Sequence, residues 1–233
     1  MLRFAEEMIL LLLDDTSGNF SHIPSWSMDY ALAGGVLMDL ALENRIDTDL
    51  ERLVLIDGTP TGDSLLDPAL ADISADVAAG GERDARYWVE REAERAEATR
   101  EECLRRLVAS GILEERQNRT LWVFKSQHYP VVDPTQEREV RRRIMDVLLS
   151  EDIPDPRDIV IIGLADATGI FKNMLSTKEL ERVADRIEQV RRLDLIGQAM
   201  PQAIGYIVVS IATGVQPHFY LATRETRNRV RAL

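Results

Sequence analysis

Closely spaced carboxylates are the first residues whose chemistry has to be considered. Asp57, Asp63 and Asp67 lie in a run rich in turn-forming residues, DGTPTGD followed by SLLD. Two carboxylates at short range can divide the roles of general acid and general base in catalysis. The same residues before a helix are also explained by capping, with Asp67 as N-cap and Pro68 at the first helical position. We therefore predict capping rather than catalysis in this run.

The histidines and the cysteine form no catalytic or metal-binding pattern in the sequence. His22, His128 and His218 are scattered, and none has the His-x-x-x-His or Glu-x-x-His spacing of a helical metal site. Neither Gly-x-Ser-x-Gly nor a phosphate-loop signature occurs. Cys103 is the single cysteine, which is typical of a chain in a reducing compartment or of one that does not use thiols. The sequence thus predicts a protein that is not an enzyme and needs no cofactor or metal.

The charge distribution limits the partners that can be expected. The 233 residues have a formal net charge of -12, which opposes a surface that attracts nucleic acid or anionic lipid everywhere. Arginines nevertheless cluster at residues 141–143 and 224–231. An acidic protein can therefore keep a local basic face.

Helical spacing predicts the elements that must position these residues. Apolar residues recur at intervals of three and four from Leu32 to Ala41, which is typical of a core helix. Gly34 and Gly35 inside it would each cost roughly 1 kcal/mol relative to alanine in an exposed helix. Their presence predicts that another chain segment approaches closely at this point.

The rest of the chain predicts more helices and one β-hairpin. Patterns of apolar residues and caps predict further helices over residues 4–13, 67–79, 85–110, 137–150, 159–165, 179–193 and 203–212. Gly111 is expected to end the long charged helix, and residues 112–113 and 121–124 are expected to flank a turn at 117–119. The fold class is therefore mainly α, a single globular domain of residues 1–233. Its core of apolar helices is ringed by amphipathic helices, with one β-hairpin.

Three stretches of the sequence resemble the Golgi phosphoprotein 3 family. They are residues 10–20 (LLLLDDTSGNF), residues 32–47 (LAGGVLMDLALENRID) followed by PTGDSLLD, and residues 104–113 (LRRLVASGIL). The resemblance covers nearly the whole chain, and the PTGD-x-LLD run is its most specific part. It implies a Golgi phosphoprotein 3-like domain and a non-catalytic adaptor that binds phosphatidylinositol 4-phosphate on the cytoplasmic face of a membrane.

The resemblance also implies which residues bind the lipid headgroup. Trp26, expected in the loop before the core helix, matches the tryptophan of the family's headgroup site, and Arg100 matches one of its arginines. Ala33 and Glu97 stand where the family has two further arginines, and Glu97 would pair with Arg100 or repel phosphate. We expect weak binding to anionic membranes without a strong preference for phosphatidylinositol 4-phosphate.

The predicted hairpin is the second candidate site. The resemblance implies that it serves membrane contact and homo-oligomerisation, for which Leu121, Trp122, Val123 and Phe124 offer apolar surface. The alternative is that these residues pack against the preceding helix.

The start of the chain adds an expectation about its origin. Eukaryotic members of the family have a basic N-terminal extension that engages vesicle coat, whereas this chain begins almost at its first predicted helix. Glu6 and Glu7 precede the first apolar run, where a signal peptide would have basic residues. We expect a cytoplasmic protein and a prokaryotic relative of the family, for which coat binding is not implied.

Two other functions stay open. One is a protein-interaction scaffold, which would need no lipid ligand. If the chain does bind lipid, Arg91 or Arg95 could replace the two family arginines that are missing at Ala33 and Glu97. The charged helix, Gly111 and the hairpin also resemble the recognition end of a winged helix, in which Arg100, Arg105 and Arg106 would meet DNA phosphates. The alternating glutamates and the net charge oppose DNA binding.

Overall fold

A computed structural model describes residues 1–14, 18–20, 24–48, 52–117, 127–194 and 209–212. This part of the chain is mainly α-helical, as predicted. In chain order the elements are α1 (Phe4–Leu12), α2 (Ser25–Leu42), β1 (Ile46–Thr48), β2 (Leu53–Leu55), α3 (Asp67–Ala78), α4 (Ala85–Ala93), α5 (Ala96–Ala109), β3 (Arg116–Gln117), β4 (Gln127–His128), α6 (Thr135–Leu149), α7 (Pro156–Ala167), α8 (Phe171–Met174) and α9 (Thr177–Asp194).

The crossing of α1 and α2 lies at the centre of the core. A Cβ atom added to Gly35 would lie 2.7 Å from the backbone nitrogen of Ala5 in α1. At Gly34, an added Cβ would lie 2.5 Å from methyl carbons of Leu164 and Ile211. The predicted close approach at this glycine pair is therefore confirmed, and only residues without a Cβ allow the two helices to meet in this way.

Helix α2 is the element that most of the other helices contact. It packs against α1, α3, α4, α5 and α7. The buried apolar residues of these helices, together with those of α6 and α9, form one contiguous cluster. All of α1 is buried, including Glu6 and Glu7.

The predicted helix over residues 85–110 is wrong as a single element. It is divided into α4 and α5 at Glu94 and Arg95. The break lets Trp88 of α4 and Leu107 of α5 both reach the core, where both are buried. Charge pairs three and four residues apart predict helix on either side of such a break but do not reveal it. Gly111 has a φ of 74° and follows α5, as predicted.

Two antiparallel hairpins are present in the described part of the chain. β3 pairs with β4 where a hairpin was predicted, with Arg116 opposite His128. Gln117 lies in β3, so its predicted place in the turn is wrong. The predicted second strand, Leu121, Trp122, Val123 and Phe124, lies outside the described residues. The pairing of β1 with β2 was not predicted, because each strand has only three residues.

Within the described ranges, the helices are all too short or too polar to cross a bilayer.

Candidate functional site

Helix α2 begins earlier than predicted, so that Trp26 lies in its first turn. Pro24 precedes the helix with φ -57° and ψ 139°, and the helix starts at Ser25. The predicted loop position of Trp26 is therefore wrong. The loop ends at Pro24, a residue type that is common at helix starts, and Trp26 is the second residue of the helix. Trp26 is half-buried against the core. Asp29 follows three residues later and so lies near Trp26 on the surface of α2.

Arg100 lies in α5, which packs against α2. Its Nη2 atom is 3.8 Å from Oε1 of Glu97, one turn earlier in the same helix. Burial raises the pKa of Asp29, the positive charge of Arg100 lowers it, and the negative charge of Glu97 raises it. Trp26 and Arg100 thus lie on two helices that pack against each other.

Tyr129, just after β4, is partly buried against the core. Burial raises the pKa of its hydroxyl, with a further increase from Glu115 and a decrease from Arg100. A cavity of about 270 Å³ lies next to the ring. Its lining residues are Glu101, Leu104, Arg105, Val108, Glu115 and Tyr129.

Sequence reasoning did not single out Asp29 or Tyr129. The position of Asp29 one turn from Trp26 follows only from the observed helix start at Ser25. Tyr129 lies 29 positions after Arg100 in the printed sequence, and no local pattern connects the two.

The residues at the two other family arginine positions differ in their surroundings. The side chain of Glu97 is 81% exposed, whereas Ala33 is only 1% exposed and lies in the core. Arg91 and Arg95 do not supply free charges to replace the missing arginines. Arg91 Nη1 is 2.8 Å from Glu94 Oε2, and Arg95 donates a hydrogen bond to Asp72.

The PTGD loop is held by the carboxylates next to it. Asp67 accepts hydrogen bonds from the backbone nitrogen of Thr61 at 2.7 Å, its hydroxyl at 2.6 Å and the backbone nitrogen of Gly62 at 3.0 Å. Asp67 is the first residue of α3, after an N-cap at Leu66 that has no side-chain cap. The predicted N-cap role of Asp67 is therefore wrong, because its side chain turns back to the loop.

Asp63 joins this loop to two other parts of the chain. Its Oδ2 atom accepts a hydrogen bond from Nε of Arg3 at 2.8 Å, and its Oδ1 atom accepts one from Nη1 of Arg106 at 2.6 Å. Arg106 also donates to Oε1 of Glu6 at 2.9 Å. An open cavity of about 410 Å³ lies beside these groups. Because the arginines are paired with carboxylates, this arrangement is explained by structural support for the loop.

The arginines proposed to meet nucleic acid are also paired. Arg105 donates two hydrogen bonds to Glu102, at 2.6 and 2.7 Å, and Arg106 faces Asp63 and Glu6. The run at residues 141–143 has carboxylate partners as well. They are Glu137 for Arg141, Glu139 and Asp146 for Arg142, and Glu7 and Asp158 for Arg143. These pairs weaken the winged-helix interpretation, because arginines that are paired with carboxylates are less available to bind DNA phosphates.

Comparison with known proteins places these features in a family context. The family model described as Golgi phosphoprotein 3 (GPP34) matches residues 4–207. Vacuolar protein sorting-associated protein 74 of Eremothecium gossypii is 26% identical over 219 residues, which cover 78% of this chain and 63% of that protein. The chain therefore spans less than two thirds of the length of this relative.

Proposed function

We propose, on the premise that this chain belongs to the Golgi phosphoprotein 3 family, that it is a non-catalytic peripheral membrane adaptor. It binds anionic, phosphoinositide-like lipid headgroups on the cytoplasmic face of a membrane. The name of its relative, a vacuolar protein sorting-associated protein, supports a role in sorting rather than in catalysis.

The observation that supports lipid binding most directly is that α2, with Trp26 in its first turn, packs against α5, where 38% of the Arg100 side chain is exposed. A guanidinium donates charge-assisted hydrogen bonds to phosphate. An indole ring is suited to the membrane interface, because one end is apolar and the other can donate a hydrogen bond. Trp26 and Arg100 are therefore the proposed headgroup-binding residues.

Binding through these two residues should be weak and sensitive to salt. A hydrogen bond to a charged group contributes about 1.5–3 kcal/mol. The loss of the two family arginines at Ala33 and Glu97 therefore lowers affinity by about a hundredfold or more. Preference for phosphatidylinositol 4-phosphate is lost with them.

Flotation with vesicles tests this function. The full chain should float with vesicles that contain phosphoinositides or other anionic lipids at low salt, and much less at high salt. Arg100→Ala and Trp26→Ala should reduce flotation. Arg182→Ala, which removes an exposed arginine on α9, is the matched control. Failure of the unaltered chain to float with any anionic vesicle would contradict lipid binding and favour a protein-interaction scaffold.

Two further properties belong to this proposal. Residues 1–233 form one domain, so calorimetry should show one cooperative unfolding transition. The hairpin between β3 and β4 mediates membrane contact or homo-oligomerisation through Leu121, Trp122, Val123 and Phe124. Substitution of these four residues by serine should then lower flotation or the molecular mass in light scattering.

A further inference from the structure

The C-terminal end of α7 is held by its own hydrogen bonds. Gly169 follows the C-cap residue Thr168 and has a φ of 77°. The backbone nitrogen of Gly169 donates to the carbonyl of Asp166 at 3.0 Å, and that of Ile170 donates to the carbonyl of Ala165 at 2.8 Å. These two bonds form a Schellman motif, which provides partners for carbonyls that a helix end leaves unpaired. The carbonyl of Thr168 is not part of the motif and needs a partner from outside α7.

Ser27 of α2 is that partner. Its hydroxyl donates a hydrogen bond to the carbonyl of Thr168, and both residues are buried. The hydroxyl of Thr168 donates in turn to the carbonyl of Leu164 at 2.6 Å, which fixes Thr168 on α7. Loss of the Ser27 hydroxyl would leave a buried carbonyl without this bond, which is costly because water does not replace it.

The bond from Ser27 lies at a helix start that has no side-chain cap. The N-cap residue of α2 is Pro24, and no side chain caps the first turn. A second contact between α2 and α7 lies seven residues later, where Gly34 lies against the side chain of Leu164. The first half of α2 therefore runs antiparallel to the end of α7. Of these two contacts, only the bond from Ser27 lies in the turn that contains Trp26.

We propose that Ser27 is a positioning residue for lipid binding, because it fixes the turn of α2 that presents Trp26. The two residues share a peptide bond, so the direction of the indole ring depends on how this turn is held. Helix ends fray, and a tertiary hydrogen bond limits that motion. A side chain that is already held loses less conformational entropy when it binds. This inference rests on the proposed function, since it explains how one of the two headgroup-binding residues is positioned.

A double-mutant cycle tests whether Ser27 acts through Trp26. Affinity is measured by titrating the full chain with vesicles of phosphatidylglycerol in phosphatidylcholine at low salt. Ser27→Ala should weaken binding about fivefold in the otherwise unaltered chain. In the Trp26→Ala background, where Arg100 still binds, the same substitution should change affinity by less than about twofold, because the residue that it positions is absent.

Two further variants separate the position of Trp26 from the stability of the fold. Ser27→Cys has nearly the volume of serine but is a weak donor, so it should weaken binding as Ser27→Ala does and replaces it if alanine does not fold. Ser74→Ala removes a comparable bond in α3, from the Ser74 hydroxyl to the carbonyl of Leu70 at 2.7 Å, and should leave vesicle binding unchanged. Urea unfolding shows that each variant is folded under the conditions of the titration.

The outcomes distinguish this inference from the proposed function. Unchanged binding by the Ser27 variants, with Trp26→Ala still weakening it, would overturn the inference and leave the lipid function standing. An effect of Ser27→Ala that is equally large with and without Trp26 would also overturn it, and so would an equal effect of Ser74→Ala. Failure of the unaltered chain to bind the vesicles would reject the proposed function and the inference together.

Discussion

Arg106 and Asp63 form an ion pair that joins α5 to the PTGD loop, with 2.6 Å between Nη1 and Oδ1. Asp63 also pairs with Arg3 at the start of α1. One carboxylate therefore links three segments that are far apart in the sequence. The PTGD-x-LLD run, the most specific part of the sequence resemblance, thus contains Asp63, which supports the fold. Its partner Arg106 also pairs with the buried Glu6 of α1.

Asp63→Asn should destabilise the protein by about 2 kcal/mol, since the neutral amide removes one charged partner from each of two partly buried arginines, leaving Arg106 with Glu6 and Arg3 with Glu43. Urea unfolding at neutral pH measures this loss. Asp185→Asn, at an exposed position on α9, should change stability by less than about 0.5 kcal/mol. Equal stability of the two variants would mean that the Asp63 pairs contribute nothing.

The Asp63 pairs also predict acid sensitivity. Partial burial opposes its ionisation, but hydrogen bonds from Leu65, Arg3 and Arg106 outweigh burial and lower its pKa below 3.8. A lowered carboxylate pKa contributes stability above the pKa of the unfolded chain and loses it as pH falls through the folded pKa. The stability difference between Asp63→Asn and the unaltered chain should therefore shrink below about pH 4.

The buried carboxyl group of Glu92 should make stability depend on pH in the opposite direction to Asp63. It is 5% exposed. Burial and the charge of Asp72 raise its pKa to about 7, against the effects of Arg95 and Arg91. Because the folded chain holds this proton more tightly than the unfolded chain, stability should fall as pH rises from about 4.5 to about 7.

Glu92→Gln tests this pH dependence. The substitution should remove the fall in stability between about pH 4.5 and about pH 7, and so stabilise the protein at pH 8 by at most about 3 kcal/mol. Thermal unfolding across this pH range measures the effect, with the exposed Glu94→Gln as control. A pH profile unchanged by Glu92→Gln would contradict the prediction.

Replacing Gly34 or Gly35 by alanine should lower the free energy of unfolding by different amounts. Gly35→Ala places a Cβ 2.7 Å from backbone of α1, which cannot move without displacing the helix. Gly34→Ala meets side-chain methyls of Leu164 and Ile211, which can rotate. We expect a loss of about 2–3 kcal/mol for Gly35→Ala and about 1 kcal/mol for Gly34→Ala in urea unfolding. The reverse order would mean that α1 adjusts more easily than the two side chains.

Leu37→Asp should unfold the protein. Leu37 is fully buried in α2, and an unpaired charge there costs several kcal/mol, comparable to total stability. Circular dichroism of the purified variant measures the loss of helix. Leu149→Asp, at a largely exposed position, should leave the protein folded. A folded Leu37→Asp variant would contradict the observed orientation of α2.

Glu97→Arg should raise binding to phosphoinositide vesicles. The substitution removes an exposed carboxylate beside Arg100 and adds a phosphate donor, so affinity should rise at least tenfold. Ala33→Arg is unsuitable as a companion, since Ala33 is buried and a guanidinium there would disrupt the core. Unchanged flotation by Glu97→Arg would mean that Glu97 does not limit headgroup binding.

The sequence by itself determined the mainly helical fold class, most of the helices and the close approach at Gly34 and Gly35. Helical periodicity, turn residues and glycine punctuation are local properties, so they can be read from neighbouring residues. The relation to the Golgi phosphoprotein 3 family could also be recognised from the order and spacing of short motifs.

Only the tertiary structure decided which side chains meet. The break between α4 and α5 and the partners of Asp63 depend on contacts between distant segments. The same holds for the packing of α2, which carries Trp26, against α5, which carries Arg100, and for the burial of Ala33. Such contacts leave no periodic signal, because they arise from how whole helices pack rather than from the preferences of neighbouring residues.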